Sequence, residues 1–495
     1  MSTITPMDPQ EVWNRIHYYS NRYYDGLSAL YSGDHKELTR TARTDTFWKR
    51  RGKCRIHVPL GSDIAATSAN LLFGNAPTFS LRSEMEDPDG IRQKRLEELI
   101  GLCNLESKLS EAAESCSALG DIYMKCRWSR DVDHPALDVV QPDNAWPEYT
   151  FDELSAVHFF TTLASDPEHD RYRRIYECYT RGHISMAIFD GNGDILGQRQ
   201  PDKILEELGY AAEIDTPVDE ILAVHITNMR PNRNFRSSNL GRSDLDGLRD
   251  LCDALDEAYT SWMRDIRLAK ARMVIPVDYL RRKPQEMLEG CSTQGMWDFD
   301  MDQETFVAMD IDTDRVQGNP ITLSQFNIRS AEHQQICDNL ITNIIQMAGY
   351  SPQSFGIGIN GSAESGTALS IRERRSAITK NKKQLYWQAP MEKILTAMVR
   401  MDAALYPEKS SLASDVVVMS FTDTMGADLS NLAATVAQMR AAQAASVETS
   451  VRILHPDWGE EEINAEVERV TKEYGQPITA PEMLLGDFEN PEAGE

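Results

Sequence analysis

The chain has 495 residues, 41% hydrophobic and 26% charged, with a formal net charge of −26 and a pI near 4.8. That length is too great for one ordinary core and calls for about two to four domains. The acidity argues against a general nucleic-acid binder, because phosphate affinity comes from Lys and Arg releasing counterions. No apolar run approaches the ~18 residues that span a bilayer, and Met1-Ser-Thr-Ile-Thr-Pro-Met-Asp8 has no basic region followed by an apolar one, so no secretory signal is expected. The 8 cysteines include no C-x-x-C pair, which favours buried free thiols over a disulfide framework or a zinc site.

In chain order, Glu11-Val-Trp-Asn-Arg-Ile-His-Tyr-Tyr19 seeds a helix within an aromatic-rich segment over residues 8–30, and a basic cluster follows at Lys49, Arg50, Arg51, Lys53 and Arg55. Ile64 to Phe73 reads as an amphipathic helix closed by Gly74 and Pro77, and Ile91 to Leu119 as another, interrupted near Gly101 and ended by Gly120. From Asp121 the period becomes two: residues 121–128, 154–163, 174–179 and 183–189 predict strands. Asp190-Gly-Asn-Gly-Asp194 reads as a hairpin turn. It opens like a calcium loop, but Ile195 and Pro201 stand where that loop needs Gly and Glu.

Gly241-Arg-Ser-Asp244 then opens a long helix that Ser243 is placed to cap, with Asp246 as its third residue. Leu245, Leu248, Leu251, Leu255, Tyr259, Trp262, Ile266, Ala269 and Met273 recur at three and four, predicting one apolar stripe over about 28 residues. Acids crowd the start of this helix and bases its end, as the helix dipole favours. Residues 274–325 form an insert with two alternating acidic runs, Asp298, Asp300, Asp302 and Asp310, Asp312, Asp314. An acidic strand face explains them without an ion. A divalent-metal site is the alternative, opposed by Gln303 and Arg315 at the turning positions and by the lack of a bidentate Glu.

A second helix, carrying Leu340 and Ile344 on its apolar side, ends at Gly349 before a glycine-rich loop over residues 351–366. Gly356, Gly358 and Gly361 spell G-x-G-x-x-G, but the helical spacing before them is the wrong setting for a dinucleotide fingerprint, which must leave a strand. Residues 366–401 hold 8 basic and 2 acidic side chains, and residues 402–495 hold 5 basic and 18 acidic ones, so the two stretches face different surroundings. Arg372, Arg374, Arg375, Lys380, Lys382 and Lys383 are placed either to touch phosphates or to pair with acids of an adjacent subunit; the second suits so acidic a protein better. A short strand at 415–421, an alanine-rich helix from Leu429 to about Val451 capped by Asp428, a last helix capped by Asp457 and stopping at Gly475, and an acidic tail complete the chain. No phosphate loop, nucleophile elbow or H-E-x-x-H helix is present, and the histidines are isolated, so neither an enzyme, a cofactor nor a metal is expected.

Ile64-Ala-Ala-Thr-Ser-Ala-Asn-Leu-Leu-Phe-Gly-Asn-Ala-Pro77, Ala118-Leu-Gly-Asp-Ile-Tyr-Met-Lys125, Gly241-Arg-Ser-Asp244 and Ser365-Gly-Thr-Ala-Leu-Ser-Ile-Arg-Glu-Arg-Arg375, in this order, resemble the portal proteins of tailed bacteriophages over most of residues 10–400. The resemblance implies an α+β, predominantly helical fold of wing, stem, clip and crown. The wing would take residues 1–240 and the long helix 367–401, the stem helices 241–272 and 326–349, the clip 273–325, the tunnel loop 350–366, and the crown with its acidic tail 402–495. It implies a protein synthesised in the host cytoplasm that forms a ring, usually of twelve copies, at one vertex of the virion shell, through which double-stranded DNA is packaged and ejected. Gly356, Gly358, Asn360, Gly361, Ser362, Ser365 and Gly366 would face that DNA, and the six aspartates of the insert would dock partners. Leu248, Leu255, Trp262, Ile266, Leu340 and Ile344 would pack subunit against subunit. The implied partners are the terminase large subunit, a neck or adaptor protein, and the major capsid and scaffolding proteins, with no membrane. Two other classes stay open: a nucleotide-dependent enzyme using the glycine loop, and a monomeric acidic scaffold.

Overall fold

A computed structural model describes residues 6–43, 47–49, 55–82, 90–129, 132–269, 272–274, 322–324, 328–357, 366–421, 429–442, 444–455 and 460–474. The chain divides into two compact units, one of residues 1–41, 59–248 and 345–495, the other of residues 42–58 and 249–344.

The elements in order are α1 (Pro9–Tyr19), α2 (Asp25–Ser32), α3 (His35–Thr41), α4 (Leu60–Phe73), β1 (Thr78–Arg82), α5 (Ile91–Leu102), α6 (Leu105–Leu119), β2 (Asp121–Arg127), β3 (Ala136–Val140), β4 (Ala145–Thr150), β5 (Glu153–Asp166), β6 (Arg171–Thr180), β7 (His183–Gly191) and β8 (Gln198–Arg199). There follow α7 (Asp202–Glu207), β9 (Glu213–Asp215), β10 (Ala223–Thr227), α8 (Arg249–Leu268), β11 (Arg272–Val274), β12 (Thr322–Ser324), α9 (Ser330–Ala348), α10 (Gly366–Leu405), β13 (Val416–Ser420), α11 (Leu429–Ala441), α12 (Val447–Leu454) and α13 (Glu460–Tyr474). The fold is mixed α+β, as expected.

In the larger unit, β4-β5-β6-β7-β8 form an antiparallel sheet with β9 also on β7, while β10-β2-β3 form a second sheet and β1-β13 a third. The predicted turn at 190–194 does lead β7 toward β8, and Asn192 Oδ1 accepts from the backbone N–H groups of Asp194 and Ile195 at 3.0 and 2.7 Å. The break expected near Gly101 falls at Cys103–Asn104, where Asn104 takes φ +48° and separates α5 from α6. The strand at β2 is buried along almost its whole length rather than on one face, because it touches α6 and α10 while β10 beside it meets β5. Its Lys125 therefore needs a partner: Nζ donates to Glu177 at 2.5 Å and lies 4.9 Å from the Phe159 ring centroid. Buried pairs Arg92–Asp415 and Arg95–Asp402 fasten α5 to the segment before β13 and to α10.

Two departures from the sequence reading concern helices. The alanine-rich helix is two, α11 and α12, the second capped by Ser446, whose side chain accepts from Thr449 N at 3.1 Å. The long helix begins at Arg249, not at Ser243. Ser243 Oγ accepts from Leu245 N at 2.9 Å but donates to the Ala118 carbonyl at 2.6 Å, and Gly247 at φ +78° turns the chain before α8 starts.

Gly120 (φ +100°) and Gly241 place two backbones in direct contact: a Cβ on Gly241 would lie well inside contact distance of the Gly120 carbonyl oxygen. Asp121 Oδ1 accepts the Gly241 N–H at 2.6 Å and His225 Nε2 at 2.8 Å, so the two segments cannot simply part. Gly241→Ala is expected to cost about 3 kcal/mol or more, visible as a large fall in melting temperature or loss of soluble protein; a wild-type melting curve would refute the close contact.

Candidate functional site

The end of α9 and the start of the glycine-rich loop are tied to one face of α10. Gly349 takes φ +103°, as a left-handed cap should, and its carbonyl accepts from Thr379 Oγ1 at 2.6 Å. Ser351 N donates to Ser376 Oγ at 2.9 Å, and Ser354 Oγ lies 2.8 Å from the same hydroxyl. A single 3₁₀ turn, Pro352–Phe355, follows, and Gly356 at φ +74° ends it. Ser376, Thr379 and Lys383 recur at three and four, so a single helical face supplies the clamp.

Beneath this clamp lies a hub that the sequence did not reveal. Asp244 accepts from Lys383 Nζ at 2.5 Å, Ser117 Oγ at 2.6 Å, Tyr350 OH at 2.7 Å and Asn228 Nδ2 at 2.9 Å. Lys383 also donates to Ser68 Oγ at 2.6 Å, and its Nζ lies 5.7 Å from the Tyr350 ring centroid. Both charged side chains are almost completely buried. Burial alone would push the Asp244 carboxyl up; the Lys383 ammonium and the hydroxyl donors outweigh it and hold it below the ordinary value. Burial and the neighbouring Asp244 charge hold the Tyr350 phenol well above its usual range, so it stays a neutral donor. The hub thus gathers α4, α6, α10, the residue after β10, the turn before α8 and Tyr350, two residues past α9.

The basic helix is less uniform than its sequence suggests. Lys380 and Lys383 are buried, and Lys383 pairs within its own chain, whereas Arg374, Arg375 and Lys382 are exposed. Of the residues expected to face DNA, Gly356 closes the 3₁₀ turn and Gly366 is the first residue of α10. Gly358, Asn360, Gly361, Ser362 and Ser365 lie outside the described residues, as do Asp298, Asp300, Asp302, Asp310, Asp312, Asp314 and the tail beyond Tyr474. The G-x-G-x-x-G segment follows a helix and a 3₁₀ turn, so the strand that a dinucleotide site needs is not there.

Among the residues expected to pack between subunits, Leu248, Leu255 and Ile344 are buried within the chain itself. Trp262 and Leu340 are half-buried, and Ile266 is 37% exposed. In the smaller unit α8 and α9 meet through polar and aromatic groups: Asp265 Oδ2 lies 2.9 Å from His333 Nε2 and accepts from Arg329 NH2 at 3.0 Å, and the His333 ring stacks parallel to Trp262. His333, isolated in sequence, is therefore a structural partner. Asp256 anchors the segment preceding α4, accepting from Val58 N at 2.8 Å and lying 2.8 Å from His57 Nδ1.

A family model described as "Phage portal protein, SPP1 Gp6-like" matches residues 14–476. The chain belongs to this family. The portal-family match takes in residues of both units. Among solved structures, a chain of "Virion of native gene transfer agent (GTA) particle" is 11% identical with a TM-score of 0.43, covering 86% of this chain and 98% of that one. A chain of "Neck of empty GTA particle computed with C6 symmetry" is 12% identical with a TM-score of 0.41, covering 85% and 93%. One of "Neck of native GTA particle computed with C12 symmetry" is 10% identical with a TM-score of 0.39, covering 83% and 89%. No curated protein matches the sequence. Among the described residues, no helix is long and apolar enough to cross a membrane.

Proposed function

We propose that the protein is a portal ring subunit: a non-enzymatic conduit for double-stranded DNA at one capsid vertex, and a platform for the terminase motor and a neck or adaptor protein. The family match over residues 14–476 carries this reading. Two further features support it. Apolar side chains stay exposed along α8 and α9, namely Ile266 at 37%, Leu268 at 38% and Ile336 at 51%, as expected of rods that meet a neighbouring copy. The charge suits a channel wall, for twelve copies at −26 each would carry a formal charge of about −300, which repels a sliding polyanion. In this reading the segment 358–365 faces the DNA, and the acidic insert docks the motor and adaptor.

Purified full-length protein should form rings in negative-stain images, with a mass in solution many times the 55.9 kDa of one chain. A single species near one chain mass at every concentration would overturn the proposal in favour of a monomeric scaffold.

A further inference from the structure

The segment after β10 is out of character with the chain. Residues 228–242 contain Arg230, Arg233, Arg236 and Arg242 and no acid, in a protein of net charge −26. This loop forms one wall of a cleft of about 500 Å³ whose other walls are α1 and β4. Its interior is aromatic: Tyr19 packs against Trp146 and Phe235 with ring centroids 5.0 and 4.3 Å away, and Tyr149 also lines it. The Tyr149 hydroxyl is fixed from behind, 2.8 Å from His225 Nδ1, whose other nitrogen lies 2.8 Å from Asp121. Glu148, the lining carboxylate, has one oxygen engaged: its Oε1 accepts from Met7 N at 2.7 Å and lies 2.6 Å from His158 Nε2. Two guanidinium groups stand at the cleft. Arg236 is exposed and meets no carboxylate among the described residues; Arg15 makes an exposed pair with Glu11, of the kind that exchanges partners at little cost, and its charge also bears on the Glu148 carboxylate.

Aromatic walls, one backed hydroxyl, an exposed arginine and a second in an exchangeable pair suit a short acidic peptide with an aromatic or proline side chain. Nucleic acid fits less well: a backbone track needs several cations in line, and this cleft includes a carboxylate in a strongly acidic protein. The chain itself holds a matching peptide. Residues 475–495 carry five acids (Glu482, Asp487, Glu489, Glu492, Glu495), no Lys or Arg, one aromatic (Phe488) and three prolines. They follow α13, in the same unit as the cleft, and 21 residues can reach up to about 70 Å. We propose that this cleft is a docking site for the protein's own acidic C-terminal segment, with Phe488 against the aromatic wall and Asp487 and Glu489 facing Arg236 and Arg15. The proposal stands apart from the ring reading, since it holds for monomer or ring.

Photo-crosslinking on the full chain tests it. A benzophenone amino acid in place of Phe488 should crosslink to the segment around Tyr19, Trp146 or Phe235. Arg236→Glu should reduce that yield at least tenfold, and adding Glu489→Arg should restore much of it. Crosslinks falling elsewhere, or a yield indifferent to Arg236→Glu, would overturn the assignment. Competition supplies a second reading: a synthetic 475–495 peptide should suppress the crosslink, and stronger suppression by a 297–314 peptide or an oligo-dT strand would mean that the cleft serves another occupant.

Discussion

Replacing Lys383 with Met is expected to destabilise the larger unit by about 3–5 kcal/mol near pH 7, because it leaves Asp244 buried with its charge uncompensated. The pair is sunk among Ser117, Tyr350, Asn228 and Ser68, so solvent cannot replace the lost ammonium. The pH dependence gives the mechanism a sign. In the native protein the Asp244 carboxyl lies below its ordinary value, so its contribution is present above the unfolded value near pH ~3.9 and is lost as pH falls through the folded one. Without Lys383 the remaining burial pushes the same carboxyl up, and the native state then takes a proton more readily than the unfolded chain. The penalty of Lys383→Met should therefore shrink on acidification from pH 7 to about pH 4.5. Thermal unfolding across that range, followed for the full chain, should show the two curves converging. Asp244→Leu combined with Lys383→Met should recover part of the loss, since removing both charges removes the unpaired one. Parallel curves at all pH values would mean that the lysine acts through its packing alone.

The visibility of these features from sequence follows a physical division. Local signals were readable. Gly120 and Gly349 stop helices at positive φ, and the alternation in 154–189 gives three adjacent strands of one sheet. Of the predicted stripe, Leu251, Leu255, Tyr259, Trp262 and Ile266 lie on α8, but the helix ends at Leu268 and Met273 falls in β11, paired with Leu323, so the rod is shorter at both ends than the spacing predicts. Its start was misplaced because Ser243 and Asp246 imitate a capping box, while Asp244 between them is drawn into contacts more than a hundred residues distant in sequence. Long-range pairing was invisible for the same reason. Nothing around Thr78 announces a partner at Ser420, and Arg92, Arg95, Lys125 and Lys383 look like surface charges until the fold supplies Asp415, Asp402, Glu177 and Asp244. A basic helix read from composition merges exposed Arg374 and Lys382 with buried Lys380 and Lys383, because helical position, not charge count, decides which face each occupies. The arginine loop at 230–242 escaped notice because its charge is diluted by the acidic total, although a search for acid-free windows would have found it.

The exposed apolar positions of α8 and α9 yield the other large effect. Ile266→Glu together with Ile336→Glu should abolish the ring while leaving each chain folded. Leu255 and Ile344 are wholly buried and belong to the chain's own interior, so changing them would confuse folding with assembly. Ile266 and Ile336, at 37% and 51% exposure, have apolar surface left to bury against a neighbour. Complete burial of an isoleucine contributes about 1.5–3 kcal/mol, and about a third to a half of that is still available at each site. Glutamate removes this contribution and adds an unpaired carboxylate to a contact, a cost of several kcal/mol for a fully desolvated charge. A closed ring repeats each interface at every subunit, so the loss multiplies and the equilibrium moves decisively to single chains. Sedimentation velocity should show the ring replaced by one-chain species, with a thermal unfolding midpoint within a few degrees of that of dissociated wild-type chains. Rings that persist in the double variant would place the subunit contact away from α8 and α9 and remove the stem from the proposed wall.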